Sequence, residues 1–190
     1  ILNTHHHGDH IGGNALLKER YGCVLIAPAA ETHRIADTDE TVTEGDMFQL
    51  GDTDFNVIET PGHTSGHVCF YVPKAQALFC GDTLFSMGCG RLFEGTAAQM
   101  WESLQKLMAL PDDTMIYCGH EYTESNGRFC LMVEPENEAL QARMAEVKTL
   151  RAQGLPTLPV SLKTEKETNV FLRAKNAEQF AERRAQKDNS

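Results

Sequence analysis

What this chain has little of narrows its function before any motif is read. Basic residues are scarce: 17 Lys and Arg stand against 27 Asp and Glu, for a formal net charge of −10. Gripping a phosphate backbone takes a basic face, so nucleic acid is excluded as the principal partner. No hydrophobic run approaches the ~20 residues that cross a bilayer, which excludes a membrane-spanning role. The six cysteines, Cys23, Cys69, Cys80, Cys89, Cys118 and Cys130, lack the dense spacing of a disulfide framework and read as reduced thiols of a cytoplasmic protein. No internal repeat or low-complexity segment is present. With 190 residues, 41% of them hydrophobic, the chain is long enough to bury a substantial core.

Histidine is where the chemistry concentrates. The segment Thr4-His5-His6-His7-Gly8-Asp9-His10 packs His5, His7, Asp9 and His10 into six positions. Imidazole and carboxylate together suit Zn²⁺, Fe or Mn, and a His-x-His pair turns both rings to one side of an extended segment. A purification tag or a solvated loop has no reason to include Asp9. Nor would it lead into Ile11-Gly12-Gly13-Asn14 and an amphipathic run. Three further candidates follow strand-like apolar runs and a glycine: His63 in Pro61-Gly62-His63, Asp82 in Cys80-Gly81-Asp82, and His120 in Cys118-Gly119-His120. The seven divide between two ions, with His5, His7 and His63 on one, Asp9, His10 and His120 on the other, and Asp82 bridging. Each ion then keeps the open coordination of a catalytic site, shared with a water or hydroxide, and the chemistry indicated is hydrolysis. Cys80, Cys89 and Cys118 lie close to these motifs, but histidine and carboxylate already fill both sites.

Local patterns place the motifs. A helix is expected over residues 13–21, ended by Gly22, then a buried strand over 23–27 stopped by Pro28. Strands follow over 55–59, 68–72, 77–80 and 114–117. Thr96-Ala97-Ala98-Gln99 is a capping box opening a helix with Met100, Leu104, Leu107 and Met108 on one face. Further helices are expected over 137–153 and from 176 to about 187. After His120 the pattern becomes mainly helical.

Through the His-x-His-x-Asp-His loop and the later His63, Asp82 and His120, the sequence resembles the metallo-β-lactamase superfamily. Within it, the closest resemblance is to glyoxalase II, the hydroxyacylglutathione hydrolases. The narrower match rests on Gly81-Asp82-Thr83-Leu84-Phe85, Gly88-Cys89-Gly90-Arg91-Leu92-Phe93-Glu94-Gly95-Thr96, Gly119-His120-Glu121-Tyr122-Thr123 and Arg184-Ala185-Gln186-Lys187-Asp188. The resemblance implies an α/β (α+β) fold, the αββα sandwich, with a catalytic domain over 1–120 and a small helical, glutathione-binding domain over 121–190. The family's first strands precede the histidine loop, so a chain opening at Ile1-Leu2-Asn3 is expected to be an amino-terminally truncated fragment. The implied reaction is hydrolysis of S-D-lactoylglutathione to D-lactate and glutathione by a metal-bridging hydroxide, in a cytoplasmic monomer. Two divalent ions, zinc foremost, are the implied cofactors. Asp9 and Asp82 take the catalytic roles, while Arg91, Phe93, Tyr122, Arg184 and Lys187 face the glutathione moiety. Phe93 departs from the family's tyrosine, and the stretch between Arg173 and Arg184 is short, which threatens to shift Arg184 and Lys187 off the ligand.

The remaining histidines read differently. His6 should face away from its two neighbours, His33 should lie on a helix surface, and His67 should hydrogen-bond backbone near the site. Two rivals stand beside the hydrolase: a mononuclear-iron persulfide dioxygenase of the same superfamily, and an inactive metal-binding fragment. The dioxygenases resemble Gly-Arg-Thr-Asp-Phe where this chain has Gly90-Arg91-Leu92-Phe93-Glu94.

Overall fold

Five consecutive residues, Val68–Val72, are buried on both faces, and this strand, β5, organises the fold. Side chains alternate across a strand. Val68, Phe70 and Val72 therefore enter one apolar cluster, and Cys69 and Tyr71 enter another. A computed structural model, which describes residues 1–190, sets β5 inside a six-stranded sheet. On one side lie β4 (Thr53–Glu59) and β3 (Met47–Leu50), both antiparallel neighbours in the meander. On the other, β6 (Ala77–Gly81) is antiparallel to β5, β9 (Met115–Cys118) is parallel to β6, and β10 (Val160–Ser161) closes the edge antiparallel to β9. A second, small sheet pairs β1 (Ile26–Pro28) with β2 (Glu40–Val42), and Leu2 bridges to Ile26. A two-residue-strand hairpin, β7 (Leu84–Phe85) and β8 (Gly88–Cys89), completes the β structure.

The helices are α1 (Gly8–Ile11), α2 (Asn14–Tyr21), α3 (Ala97–Met108), α4 (Thr123–Val133), α5 (Glu138–Ala152), α6 (Leu162–Thr168) and α7 (Ala177–Asp188). The capping box is present as read: Thr96 accepts from the Gln99 amide and Gln99 reaches back to the Thr96 amide. Gly22 ends α2 in the left-handed region at φ 60°, which a residue with a Cβ resists. Asn137 and Asn176 cap α5 and α7 one residue before the helices start. The strand expected over 23–27 is shifted and short, because Leu25 and Ala27 are buried but only Ile26–Pro28 pairs. The strands over 40–42, 47–50 and 160–161 carry mixed or exposed side chains, so alternation did not mark them.

Helices α3 to α7 cover one face of the large sheet. The 23-residue cluster between them draws on Leu78, Cys80 and Ile116 from strands, Leu104 and Leu107 from α3, and Phe129, Leu140, Phe171 and Phe180 from beyond residue 120. One core thus runs across position 120, and β10 extends the sheet from the far side of it. The opposite face is covered over β4 and β5 by the small sheet, where Phe55, Val57 and Phe70 meet Leu2, Ile26 and Val42. Over β6 and β9 that face is open, and Phe79 stacks on Tyr117 at 5.2 Å with each ring 40% exposed. No helix is long and apolar enough to cross a membrane.

Glu165 of α6 is fully buried where the carboxy-terminal segment meets the β7–β8 hairpin. Its carboxylate accepts from Ser86 Oγ at 2.9 Å, the Met87 amide at 2.7 Å and Asn169 Nδ2 at 3.0 Å. Burial nevertheless pushes the carboxyl up to about 7 from an ordinary 4.5. A raised folded-state value gives a stabilisation that is full below the unfolded value and is lost as pH climbs through the folded one. With chelator present, wild type should therefore lose on the order of 3 kcal/mol of unfolding free energy relative to Glu165→Gln between about pH 4 and pH 8. Denaturant unfolding across that range measures it, and a pH-independent difference would show the carboxyl titrating normally.

Candidate active site

Strands β4, β6 and β9 point the same way, since β5 reverses the direction between β4 and β6 and β9 runs parallel to β6. Their carboxy-terminal ends therefore share one edge of the sheet, and just past these ends stand His63, Asp82 and His120. The amino-terminal segment is laid across the same edge. The Thr4 carbonyl accepts from the Val68 amide at 2.9 Å, and the Asn3 amide donates to Ile26 at 3.0 Å. Asp9 and His10 belong to the one-turn helix α1, so the stretch is extended only through His7. Buried Asn14 and Asn3 fix that turn, with Asn14 Nδ2 donating to Asn3 Oδ1 at 2.6 Å and Asn3 Nδ2 to the His10 carbonyl at 3.3 Å.

All seven predicted metal-binding residues converge. His5, His7 and His63 form one group whose ligand atoms lie within 4.8 Å of one another, and Asp9, His10 and His120 form another. Asp82 stands between them, its Oδ2 at 3.5 Å from His63 Nε2 and 3.3 Å from His120 Nε2, its Oδ1 at 3.3 Å from His10 Nε2. Asp9 Oδ2 lies 3.2 Å from His120 Nε2. The sequence division left out one grouping, since His5 also gathers with His10 and Asp82.

The outward ring nitrogens have partners, and these set which nitrogen faces inward. His63 Nδ1 donates to the Arg91 carbonyl at 2.8 Å, and His5 Nδ1 meets Thr4 Oγ1 at 3.0 Å. Both rings thereby present Nε2 to the centre. Burial pushes His5 far below the ordinary imidazole range and lowers His63, so both are neutral and carry a free lone pair. His10 is raised, chiefly by the Asp82 carboxylate beside it. Burial works to raise Asp82, but His10 and the other imidazoles hold it below the usual carboxylate value. Three buried atoms here, His5 Nε2, His10 Nε2 and Asp82 Oδ1, have no hydrogen-bond partner. Orphaned buried polar atoms are costly and rare, and nitrogen and oxygen donors aimed at shared points fit a divalent cation.

Glycine makes the close approach workable. A Cβ on Gly119 would lie 2.4 Å from Asp82 Oδ1 and 2.8 Å from His10 Cε1. Gly81 sits at φ +46°, where an added Cβ would be 2.4 Å from Thr4 Oγ1. The three other histidines are placed as expected: His6 turns away to Glu31, His33 is exposed in a 3-10 turn, and His67 bonds backbone. Cys80 and Cys118 donate to the carbonyls of Leu84 and His120, and burial pushes the Cys89 and Cys118 thiols up to about 11, so none is set up as a thiolate ligand.

A cavity of about 660 Å³ opens at this cluster, lined by His7, Asp9, His63, Asp82 and His120. Phe93 packs edge-on against His7 and His63, and Tyr122 stacks on His120 at 4.9 Å. Arg91, Arg184 and Lys187 also line the cavity despite the short stretch before Arg184. Arg184 is buried, donating to the Cys89 carbonyl and to Asp188 Oδ1, both at 2.9 Å, with its guanidinium over the Phe171 ring. Arg91 is exposed and shares Asp188 at 3.3 Å. Asn126, Phe85 and Cys89 complete the wall. Nothing in the sequence marked Asn126, because a lone helical Asn carries no spacing signal.

With the geometry in place, comparison with known proteins is direct. Residues 1–120 match the model of the metallo-beta-lactamase superfamily, and residues 121–190 that of the hydroxyacylglutathione hydrolase C-terminus. The chain is 56% identical to the hydroxyacylglutathione hydrolase of Rhodospirillum rubrum, over 94% of this chain and 70% of that protein. Among solved structures, ETHE1 from Myxococcus xanthus is 27% identical with a TM-score of 0.71, over 97% of this chain and 67% of that one. TTHA1623, solved in a di-iron-bound form, is 30% identical with a TM-score of 0.55, over 63% of this chain and 68% of that one. Superfamily and side-chain clusters together give a divalent-metal-binding protein.

His67 is buried under this centre and held neutral, its value lowered by burial to about 3. Its Nε2 accepts the Asp82 amide at 3.1 Å, while Nδ1 lies 3.0 Å from both Thr60 Oγ1 and Thr83 Oγ1. His67→Leu strands the Asp82 N–H, so the chelator-treated protein should lose about 1–3 kcal/mol of stability in urea unfolding. An unchanged midpoint would mean that the amide finds another partner.

Proposed function

Because this chain belongs to the hydroxyacylglutathione hydrolases of the metallo-β-lactamase superfamily, we propose that it cleaves S-D-lactoylglutathione to D-lactate and glutathione, using two divalent ions, zinc foremost. The observation that carries this reading is the sharing of Asp82 between two groups of histidine and carboxylate donors on the floor of a cavity with a cationic far wall. His5, His7 and His63 would hold one ion and Asp9, His10 and His120 the other, with Asp82 between them. The three orphaned buried atoms support that fit. Bound there, such ions supply a water nucleophile acidified to near neutrality and polarise the carbonyl it attacks.

The chain's own groups do the rest. Asp9 has the most exposed carboxylate of the cluster, its side chain 60% accessible, and is placed to accept a hydrogen bond from the attacking water and orient it. The leaving group is a thiolate, whose conjugate acid has a pKa of about 8.5, so no dedicated proton donor is required. Phe93, against His7 and His63, and Tyr122, on His120, give the cavity its aromatic lining. Glutathione brings two carboxylates, and against a chain charge of −10 the cations at the cavity are the local exception. Arg184 uses both terminal nitrogens on Cys89 and Asp188 and keeps only its buried Nε unpartnered, which leaves Lys187 and exposed Arg91 as the freer anion-binding groups. The free thiols, mostly buried, suit a reducing compartment, so this reading extends to the cytoplasm.

Metal analysis together with loss of thioester absorbance on S-D-lactoylglutathione tests the proposal. About two ions per chain with cleavage is the expected result; one iron with oxygen consumption on glutathione persulfide would replace it with the dioxygenase. Asp82→Ala should lower bound metal at both positions and His120→Ala mainly at one. Equal depletion by the two substitutions would show the division of donors to be wrong.

A further inference from the structure

Glu31 has no accessible surface, and nothing in the reaction described above uses it. It lies in the 3-10 turn Ala29–Arg34, behind the loop that carries His5 and His7. Its two oxygens serve two different loops. Oε2 accepts from the His6 backbone amide at 2.6 Å and from His6 Nδ1 at 2.7 Å, gripping the residue between those two histidines. Oε1 accepts from Thr64 Oγ1 and from the Gly66 amide at 3.1 Å, gripping the turn that follows His63. Gly66 is a glycine of necessity here, since a Cβ would lie 2.5 Å from Glu31 Cγ. The His6 ring is fixed in turn: Arg34 Nη1 donates to Nε2 at 2.9 Å, which leaves Nδ1 as the protonated nitrogen facing Glu31. Arg34 also pairs with Glu94, whose other oxygen accepts the Ser65 amide at 2.7 Å, so an outer ion pair reinforces the same two loops.

We propose that Glu31 is a positioning residue for one of the two metal positions: its carboxylate clamps the His5–His7 loop to the His63 loop and so sets the spacing of the three imidazoles His5, His7 and His63. The inference rests on the donor division given under Proposed function. The second group, Asp9, His10 and His120, is held by other means, with Asn3 and Asn14 fixing α1 and β9 delivering His120. The clamp's removal is therefore selective. A carboxylate meets the requirement, because each loop presents a backbone N–H that can only donate, that of His6 and that of Gly66. An amide has one acceptor oxygen and would aim its NH₂ at the donors of one loop.

The test is zinc titration of metal-free protein against a chromophoric chelator, with wild type, Glu31→Gln, Glu31→Asp and His120→Ala. Glu31→Gln should weaken one of the two binding steps by about 10- to 100-fold, the usual cost of losing a group that orients a ligand. The other step should stay within about threefold, and Glu31→Asp, which keeps two acceptor oxygens, should recover part of the loss. Placed on His120→Ala, whose residual zinc reports the His5–His7–His63 position, Glu31→Gln should weaken that residual binding by the same factor of about 10 to 100. Equal weakening of both steps, no weakening, or an unchanged affinity for the residual zinc would each overturn the proposal. If Glu31→Gln does not fold, Thr64→Val removes a single donor and should give the same selective loss at smaller size; its absence overturns the proposal equally. A wild type that binds fewer than two ions would refute the donor division itself, a result distinguishable from failure of the clamp.

Discussion

Asp82 is the constraint on which the rest of the site depends. A largely buried carboxylate within 3.5 Å of three imidazoles from three different chain segments is not a stable arrangement left to itself. One of those imidazoles, His10, faces it with a buried nitrogen that has no hydrogen-bond partner, and one of the carboxylate's own oxygens has none. Unsatisfied polar atoms at this depth cost about 1–3 kcal/mol each. The fold keeps them because strand direction brings the segments together: β4, β6 and β9 end at one edge, and at the end of β9 Gly119 lets the backbone approach Asp82 and His10 to distances a Cβ would forbid. A cation is the group that turns this cost into binding energy.

What was legible in the sequence is what depends on local chemistry. The histidine loop could be read because donors at such density have few other uses, and the glycines before Asp82 and His120 because tight turns need them. The caps at Thr96, Asn137 and Asn176 fixed three helix starts to within a residue. The rest needed three dimensions. Strand β10 has two residues and is defined only by its partner Ile116 and Met115, so no periodicity announces it. Glu31 and Glu165 look like ordinary acidic residues in polar stretches, yet both are fully buried and each ties together segments distant in sequence. A buried carboxylate is recognised by the donors that surround it, and those donors are scattered along the chain.

The two ends of the chain bear on the cavity in different ways. The amino-terminal segment supplies donors, and its accuracy comes from backbone bonds to Val68 and Ile26 and from the Asn3–Asn14 pair. The carboxy-terminal helix α7 supplies charge, and its accuracy comes from packing, since Phe180 is buried in the main core and Arg184 lies over Phe171. Because that core is continuous across residue 120, the wall bearing Arg184 and Lys187 is packed into one body with the strands that carry His63, Asp82 and His120.

Arg184 shows why motif and function are not interchangeable. The sequence places it in an Arg-x-x-Lys motif whose resemblance assigns it to glutathione. The structure gives its guanidinium three other tasks, on the Cys89 carbonyl, Asp188 and the Phe171 face. Asp188 in turn reaches Arg91, coupling α7 to the glycine-rich loop. A guanidinium used this way holds the wall in place, while the ammonium one turn on, partly buried with its value lowered by desolvation, faces the cavity with fewer commitments. The shape of this wall thus follows from Arg184, and its less committed positive charge from Lys187 and Arg91.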